Sequence, residues 1–143
     1  MDRHQLAAWL QEKLFERRIV LITGIIDDML AAQVTAQLTT LDAASDAPIE
    51  IHLDSPDGTL EAAFVIIDAM DAVRAPVRAY CRGRVGGPAI GVLAAASQRV
   101  SAPHARFRLG QPAARFTGTP DFFSRRSMRR IACRNNVTRP DCE

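Results

Sequence analysis

Lysine is almost missing from this chain of 143 residues: Lys13 is the only one, and arginine makes up the rest of the 18 basic residues. Gly83, Gly86, Gly87 and Gly91 crowd one segment, but without a P-loop lysine or a GxGxxG spacing they do not form a phosphate-binding loop. Cysteine is also scarce. Cys81, Cys133 and Cys142 are odd in number, which argues against a disulfide framework and for a reducing compartment. No CxxC and no Cys/His cluster suggests zinc, so neither a metal nor a cofactor is expected. Aromatics are sparse at 6%, and Ala carries much of the apolar 48%. No apolar run reaches membrane-spanning length, and the N-terminal MDRHQLAAWLQEKLFERR lacks the apolar stretch of a signal peptide. A cytosolic protein without membrane partners is expected.

The remaining composition is that of an ordinary single globular domain, with charged residues at 24% and a formal net charge of +2. Charge is unevenly placed. Residues 113–143 hold seven arginines against Asp121, Asp141 and Glu143. With Phe116, Phe122 and Phe123 this basic segment has the make-up of a nucleic-acid contact, yet a solvated helix or a contact with an acidic neighbour explains it equally. Nucleic acid is not the expected partner.

Periodicity places a helix over residues 4–15 with Leu6, Trp9, Leu10 and Leu14 on one face. Arg18–Thr23 reads as a buried strand. Asp27 and Asp28 cap a helix carrying Leu30, Val34, Leu38 and Leu41. Ile49–Leu53 is a second strand, followed by the turn Asp54-Ser55-Pro56-Asp57-Gly58. A third helix aligns Leu60, Ala63, Phe64, Ile67 and Met70. Val77–Cys81 is a third strand, and short strands are expected at Arg99–Val100 and Arg106–Leu109. Alternating strands and helices imply an α/β fold with parallel pairing, and functional loops at the carboxyl ends of the strands. The turns at 54–58 and 83–88 both qualify.

The segment CRGRVGGPAIGVL, Cys81–Leu93, runs from a strand through a glycine-rich turn into a helix with Pro88 in its first turn. That is the layout of a nucleophile elbow, but Gly86, Gly87 and Pro88 supply no hydroxyl or thiol. Other nucleophile sets are weaker. His52 and Asp54 share a strand face with Ser55 adjacent; strand-edge and turn roles explain them. His104 near Ser101 reads as a surface loop. Cys81 reads as a small buried hydrophobe, and Cys133 lies among arginines that would lower a thiol pKa.

In order along residues 14–112, these segments resemble the proteolytic subunit of the ATP-dependent Clp protease (ClpP) family. LFERRIVLITG is similar to the family's opening strand, and VTAQLTTL to its first helix. IHLDSPDG resembles "YINSPGG", AAFVIIDAM its next helix, Cys81-Arg82-Gly83 the start of the serine-bearing segment, and APHARFRLGQP the histidine-bearing one. The resemblance implies a ClpP/crotonase-like spiral of β/α units over residues 1–112. It implies ring-forming proteolytic subunits stacked into a chamber and an AAA+ unfoldase partner. It also implies a Ser–His–Asp triad whose serine falls on Gly87 and whose histidine falls on Gly110. The aspartate belongs to a final segment that residues 113–143 lack or alter. The oxyanion-hole positions fall on Asp57, Gly58 and Pro88, where Pro88 has no N–H to donate. The expectation is a ClpP-like homologue without peptidase chemistry, structural or regulatory in a Clp-type assembly. Two alternatives remain at this point: a crotonase-like protein binding an acyl-CoA thioester, and a binding module using the basic segment.

Overall fold

The structure, a computed structural model, describes the backbone of residues 3–110 and side chains from residue 9 onward. These residues fall within the first of two units of the chain, Met1–Gln111. The basic segment 113–143, with Cys133 and Cys142, lies outside them.

The elements are α1 (Arg3–Glu16), β1 (Ile19–Thr23), α2 (Asp28–Ala44), β2 (Ile49–Ser55), α3 (Leu60–Ala72), β3 (Val77–Gly86), α4 (Ala89–Ala95), β4 (Gln98–Ser101) and β5 (Arg106–Arg108). All pairing in the sheet is parallel, in the order β1-β2-β3-β4, with β5 also on β3. Parallel neighbours need a crossover, and α2, α3 and α4 supply it between successive strands. The alternation of β2 buries Ile49, Ile51, Leu53 and Ser55 and leaves Glu50, His52 and Asp54 partly exposed. The buried face joins Val20, Ile22, Val34, Leu38 and Ile66 in one apolar core. Each such branched side chain contributes roughly 1.5–3 kcal/mol on burial.

Asp27 caps α2 as its position suggests, accepting from the Leu30 N–H at 2.8 Å. The other end of α2 is held from afar. Arg18 sits in the left-handed region at φ 61° just before β1. Its guanidinium donates to the carbonyls of Leu41 (2.8 Å), Ser45 (3.0 Å), Ala47 (2.7 Å) and Pro48 (3.3 Å). A cation placed on the last carbonyls of a helix satisfies orphan acceptors and opposes the negative end of its dipole. Asp42 makes a second tie. Its Oδ1 accepts from the N–H groups of Arg74 and Ala75, both at 2.9 Å, joining α2 to the turn that enters β3. The Ala75 N–H bond leads the interactions that hold the Asp42 carboxyl below its ordinary value, with burial opposing and the Arg74 N–H and charge adding.

Three expectations need correction. The third strand does not end at Cys81 but runs to Gly86. It passes through an irregularity in which Leu53 pairs with Cys81 and Ser55 with Val85. Asp54 Oδ1 accepts the Arg84 N–H there at 2.8 Å, and Gly83–Gly86 stay in the sheet, with the turn coming only at Gly87-Pro88. This extra length is what β5 pairs with: Arg84 with Arg106, and Gly86 with Arg108. The face of α3 is also rotated. Ala62, Ala63, Ile66 and Met70 are buried, while Leu60 and Phe64 are 50% and 53% exposed. Glu61, Asp68 and Asp71 lie on the exposed side, the apolar residues cover more of the helix than one face, and packing between α2 and α4 selects which of them are buried. Trp9 and Leu10 of α1 are likewise exposed rather than buried.

Candidate functional site

β3 delivers the chain into a sharp turn at Gly86–Pro88, and α4 starts at Ala89 with Pro88 as its N-cap residue. Gly87 takes φ +52°, the left-handed conformation such a strand-to-helix elbow demands. The elbow is therefore built, and at its apex stands a residue with no side chain.

Asp57 occupies the space above it. A Cβ placed on Gly87 would lie 2.7 Å from Asp57 Oδ1, closer than real contacts allow. That oxygen is not free to swing aside without loss, because it accepts the Gly58 N–H at 2.9 Å. The turn carrying Asp57 is itself held. Buried Ser55 donates from Oγ to the Asp57 carbonyl at 3.0 Å, and the Ile26 N–H donates to the same carbonyl at 3.1 Å. Gly58 has a steric role of its own: a Cβ there would stand 2.6 Å from Cβ of Ile26, with which it forms an isolated bridge. Of the three positions that the resemblance leads one to expect at an oxyanion hole, Pro88 has no donor and the Gly58 N–H is committed to the neighbouring carboxylate. Asp57 adds negative charge where a developing oxyanion would need positive potential.

Gly110 is different. Among the described residues nothing lies within 4 Å of a Cβ there. It stands two residues beyond the end of β5, next to Leu109, which is 80% exposed.

The other nucleophile sets do not assemble. His52 and Asp54 share a face of β2, but Ser55 points to the other, into the core. His52 Nε2 meets Glu50 Oε1 at 2.6 Å, and its ring packs against Tyr80 at 5.5 Å between centroids. Asp54 is engaged with the Arg84 N–H, not with His52. Ser101 donates to the Ala102 carbonyl at 3.1 Å, and His104 is exposed. Cys81 is 1% exposed in the core of β3, and burial pushes its thiol pKa up, away from the reactive thiolate. Among the described residues no group of three or more His, Cys, Asp or Glu is placed to hold a metal ion. No helix among them is long and apolar enough to cross a membrane.

The role of Asp57 as the group that fills the elbow was not legible as a distance. Its one signal is the acidic residue inside the Ser55-Pro56-Asp57-Gly58 turn, where the resemblance has glycine. Arg84 and Arg106 as paired neighbours had no signal, because their register depends on the unforeseen length of β3.

Comparison with known proteins agrees with this architecture. The chain is 38% identical over 104 residues to the ATP-dependent Clp protease proteolytic subunit 1 of Rhodococcus jostii, covering 71% of this chain and 47% of that protein. It is 36% identical over 108 residues to the protein of the same name from Corynebacterium efficiens, covering 73% and 52%. It thus spans about half the length of these relatives. The crystal structure of the ClpP protease catalytic domain from Plasmodium falciparum superposes with a TM-score of 0.71 at 26% identity, covering 73% of this chain and 60% of that one. The family profile described as Clp protease matches residues 2–139, and this chain belongs to the Clp protease family, as a homologue of its proteolytic subunits.

Proposed function

We propose that this chain is a catalytically silent ClpP-like subunit that takes a structural or regulatory place in a cytoplasmic Clp-type protease assembly. The observation that carries the reading is the elbow at Gly87. The turn that displays a nucleophile is kept, its apex has no side chain, and a carboxylate fills the space one would need. By resemblance to the family's motifs the base position falls on Gly110, which offers no imidazole. Nucleophile, base and oxyanion donors fail together. Loss of one donor alone typically costs ~10²–10³ in rate. The same resemblance suggests the partners: other Clp proteolytic subunits, and an AAA+ unfoldase docking on the assembly. Exposed apolar side chains on α1 and α3, among them Trp9, Leu10, Leu60 and Phe64, favour association.

No observation favours a second reading. A thioester-binding site of the crotonase type needs a pair of free N–H donors at the elbow. Pro88 has none, and Gly58 donates to Asp57.

The test is direct. The purified protein should cleave no fluorogenic peptide and take up no serine-directed fluorophosphonate. Labelling at a serine, abolished when that serine is replaced, would overturn the silent assignment while leaving the family unchanged.

A further inference from the structure

We propose that Asp57-Gly58 is a site of spontaneous backbone modification, at which the chain closes a succinimide and reopens it as an isoaspartyl linkage. The inference does not depend on the assembly reading above. It concerns the carboxylate that stands against the elbow.

Isomerisation of an aspartyl residue needs an uncrowded backbone nitrogen after it, a carboxyl group within reach of that nitrogen, and a nitrogen that gives up its proton. The first condition is met at one place only: Asp57-Gly58 is the single Asp-Gly pair of the 143 residues, and there is no Asn-Gly. Glycine has no Cβ to hinder the attack of its own nitrogen. Packing requires glycine here, since a Cβ would stand 2.6 Å from Cβ of Ile26. The contact that demands Gly58 therefore also leaves its nitrogen open.

The second condition is met by the turn. The Gly58 N–H donates to Asp57 Oδ1 at 2.9 Å, so the carboxyl is folded back on the next peptide nitrogen. The third is met at the other end of the same peptide bond. The Asp57 carbonyl oxygen accepts from Ser55 Oγ at 3.0 Å and from the Ile26 N–H at 3.1 Å. Donors on a peptide oxygen polarise the bond and make its N–H more acidic. Asp57 is exposed, so water reaches the site. Asp54-Ser55 is the contrasting pair. It lies within β2, and Asp54 Oδ1 is engaged by the distant Arg84 N–H at 2.8 Å.

In the first step the Gly58 nitrogen bonds to Cγ of Asp57. The amide proton and the carboxyl hydroxyl leave together as water, and a cyclic imide remains. In the second step water adds to the main-chain carbonyl carbon of Asp57, and the bond from that carbon to the Gly58 nitrogen breaks. The nitrogen stays on Cγ, and an α-carboxylate is released. No oxidant or other reactant takes part. The Ser55 and Ile26 donors sit on the oxygen of the carbonyl that water attacks, where negative charge develops, so they direct opening to the isoaspartyl product. They then hold its carboxylate by charge-assisted hydrogen bonds. The main chain gains a methylene, and the negative charge moves from the Gly87 side to the Ser55–Ile26 side. Gly87 then faces an amide oxygen.

The experiment is a timed incubation of the full chain at neutral pH, with circular dichroism to confirm the fold. Samples are digested and the peptide containing residues 53–58 is followed by mass spectrometry with electron-transfer fragmentation; the starting sample gives the background from digestion. A species lighter by one water should appear first, then an isomer of unchanged mass with the isoaspartyl linkage at Asp57 and none at Asp54. Carboxyl methylation by an isoaspartyl methyltransferase supplied with labelled S-adenosylmethionine should rise in step. A synthetic peptide of residues 51–62 is the unfolded reference, and the folded chain should convert at least as fast. Asp57→Glu, whose ring would need one more atom, should lose the signal. Ser55→Ala should slow the folded chain and leave the peptide unaffected. An unmodified folded chain beside a converting peptide would overturn the proposal, because the turn would then protect the bond. Equal conversion at Asp54, or conversion that survives Asp57→Glu, would overturn it too. The comparison of folded chain with peptide needs no variant to fold.

Discussion

Asp57 stands against Gly87 at the elbow, and whether the two are coupled is measurable. Gly87→Ser alone should yield no hydrolysis, because triad members act together and neither base nor oxyanion donors are supplied. It should also destabilise the protein by about 1–2 kcal/mol, since a Cβ residue is held in the left-handed region. The added side chain meets Asp57 Oδ1 as well, at 2.7 Å from its Cβ. Adding Asp57→Gly removes that contact, so the two changes together should cost less than their sum, with a coupling on the order of 0.5–3 kcal/mol. Thermal melts of the two single variants and the double variant test this; strict additivity would show that the carboxylate does not fill the site. Hydrolysis well above background in Gly87→Ser would show instead that a histidine such as His52 or His104 is already in place.

Among the elements, α2 depends on residues that are distant in sequence. Arg18→Ala removes a guanidinium that serves four carbonyls around the end of α2. The expected loss is about 1–3 kcal/mol, the scale of hydrogen bonds made by a charged group. Arg18→Lys should recover only part of it, because an ammonium cannot span the same carbonyls as a planar fork. Equal stability of all three proteins in urea would refute a capping role. Asp42 gives α2 a pH dependence. Its folded pKa lies below the ordinary 3.8, so its contribution is complete above that value and is lost as pH falls through the lower folded value. Asp42→Asn should therefore lower stability at neutral pH and flatten the acid limb of the stability curve. An unchanged acid limb would mean that other carboxylates set it.

For the whole molecule, association is the property to measure. The described residues share their fold with 60% of a ClpP catalytic domain and expose Trp9, Leu10, Phe64 and Val65. Light scattering, with the protein alone and mixed with an active Clp subunit, should report species larger than a monomer. A well-folded monomer under both conditions would leave the family membership intact and remove the assembly role.

The local order of residues by itself determined much of this protein. Strand-forming runs, the Asp27 cap and the Pro88 turn place β1, β2, α2 and the elbow, because these signals act over a few residues. The absence of a hydroxyl at Gly87 and of an imidazole at Gly110 is covalent fact, and no folding can restore either. Other features exist only once the sheet has formed. The extension of β3 to Gly86 is accompanied by contacts made far along the chain, among them Asp54, thirty residues away, accepting the Arg84 N–H. Which side of α3 is buried depended on its neighbours, since its apolar residues cover more than one face. The pairing of Arg84 with Arg106 followed from the added length of β3. The placing of Asp57 over Gly87 followed from two strand ends meeting. Composition and periodicity report what each residue offers, and register between distant segments decides which offers meet.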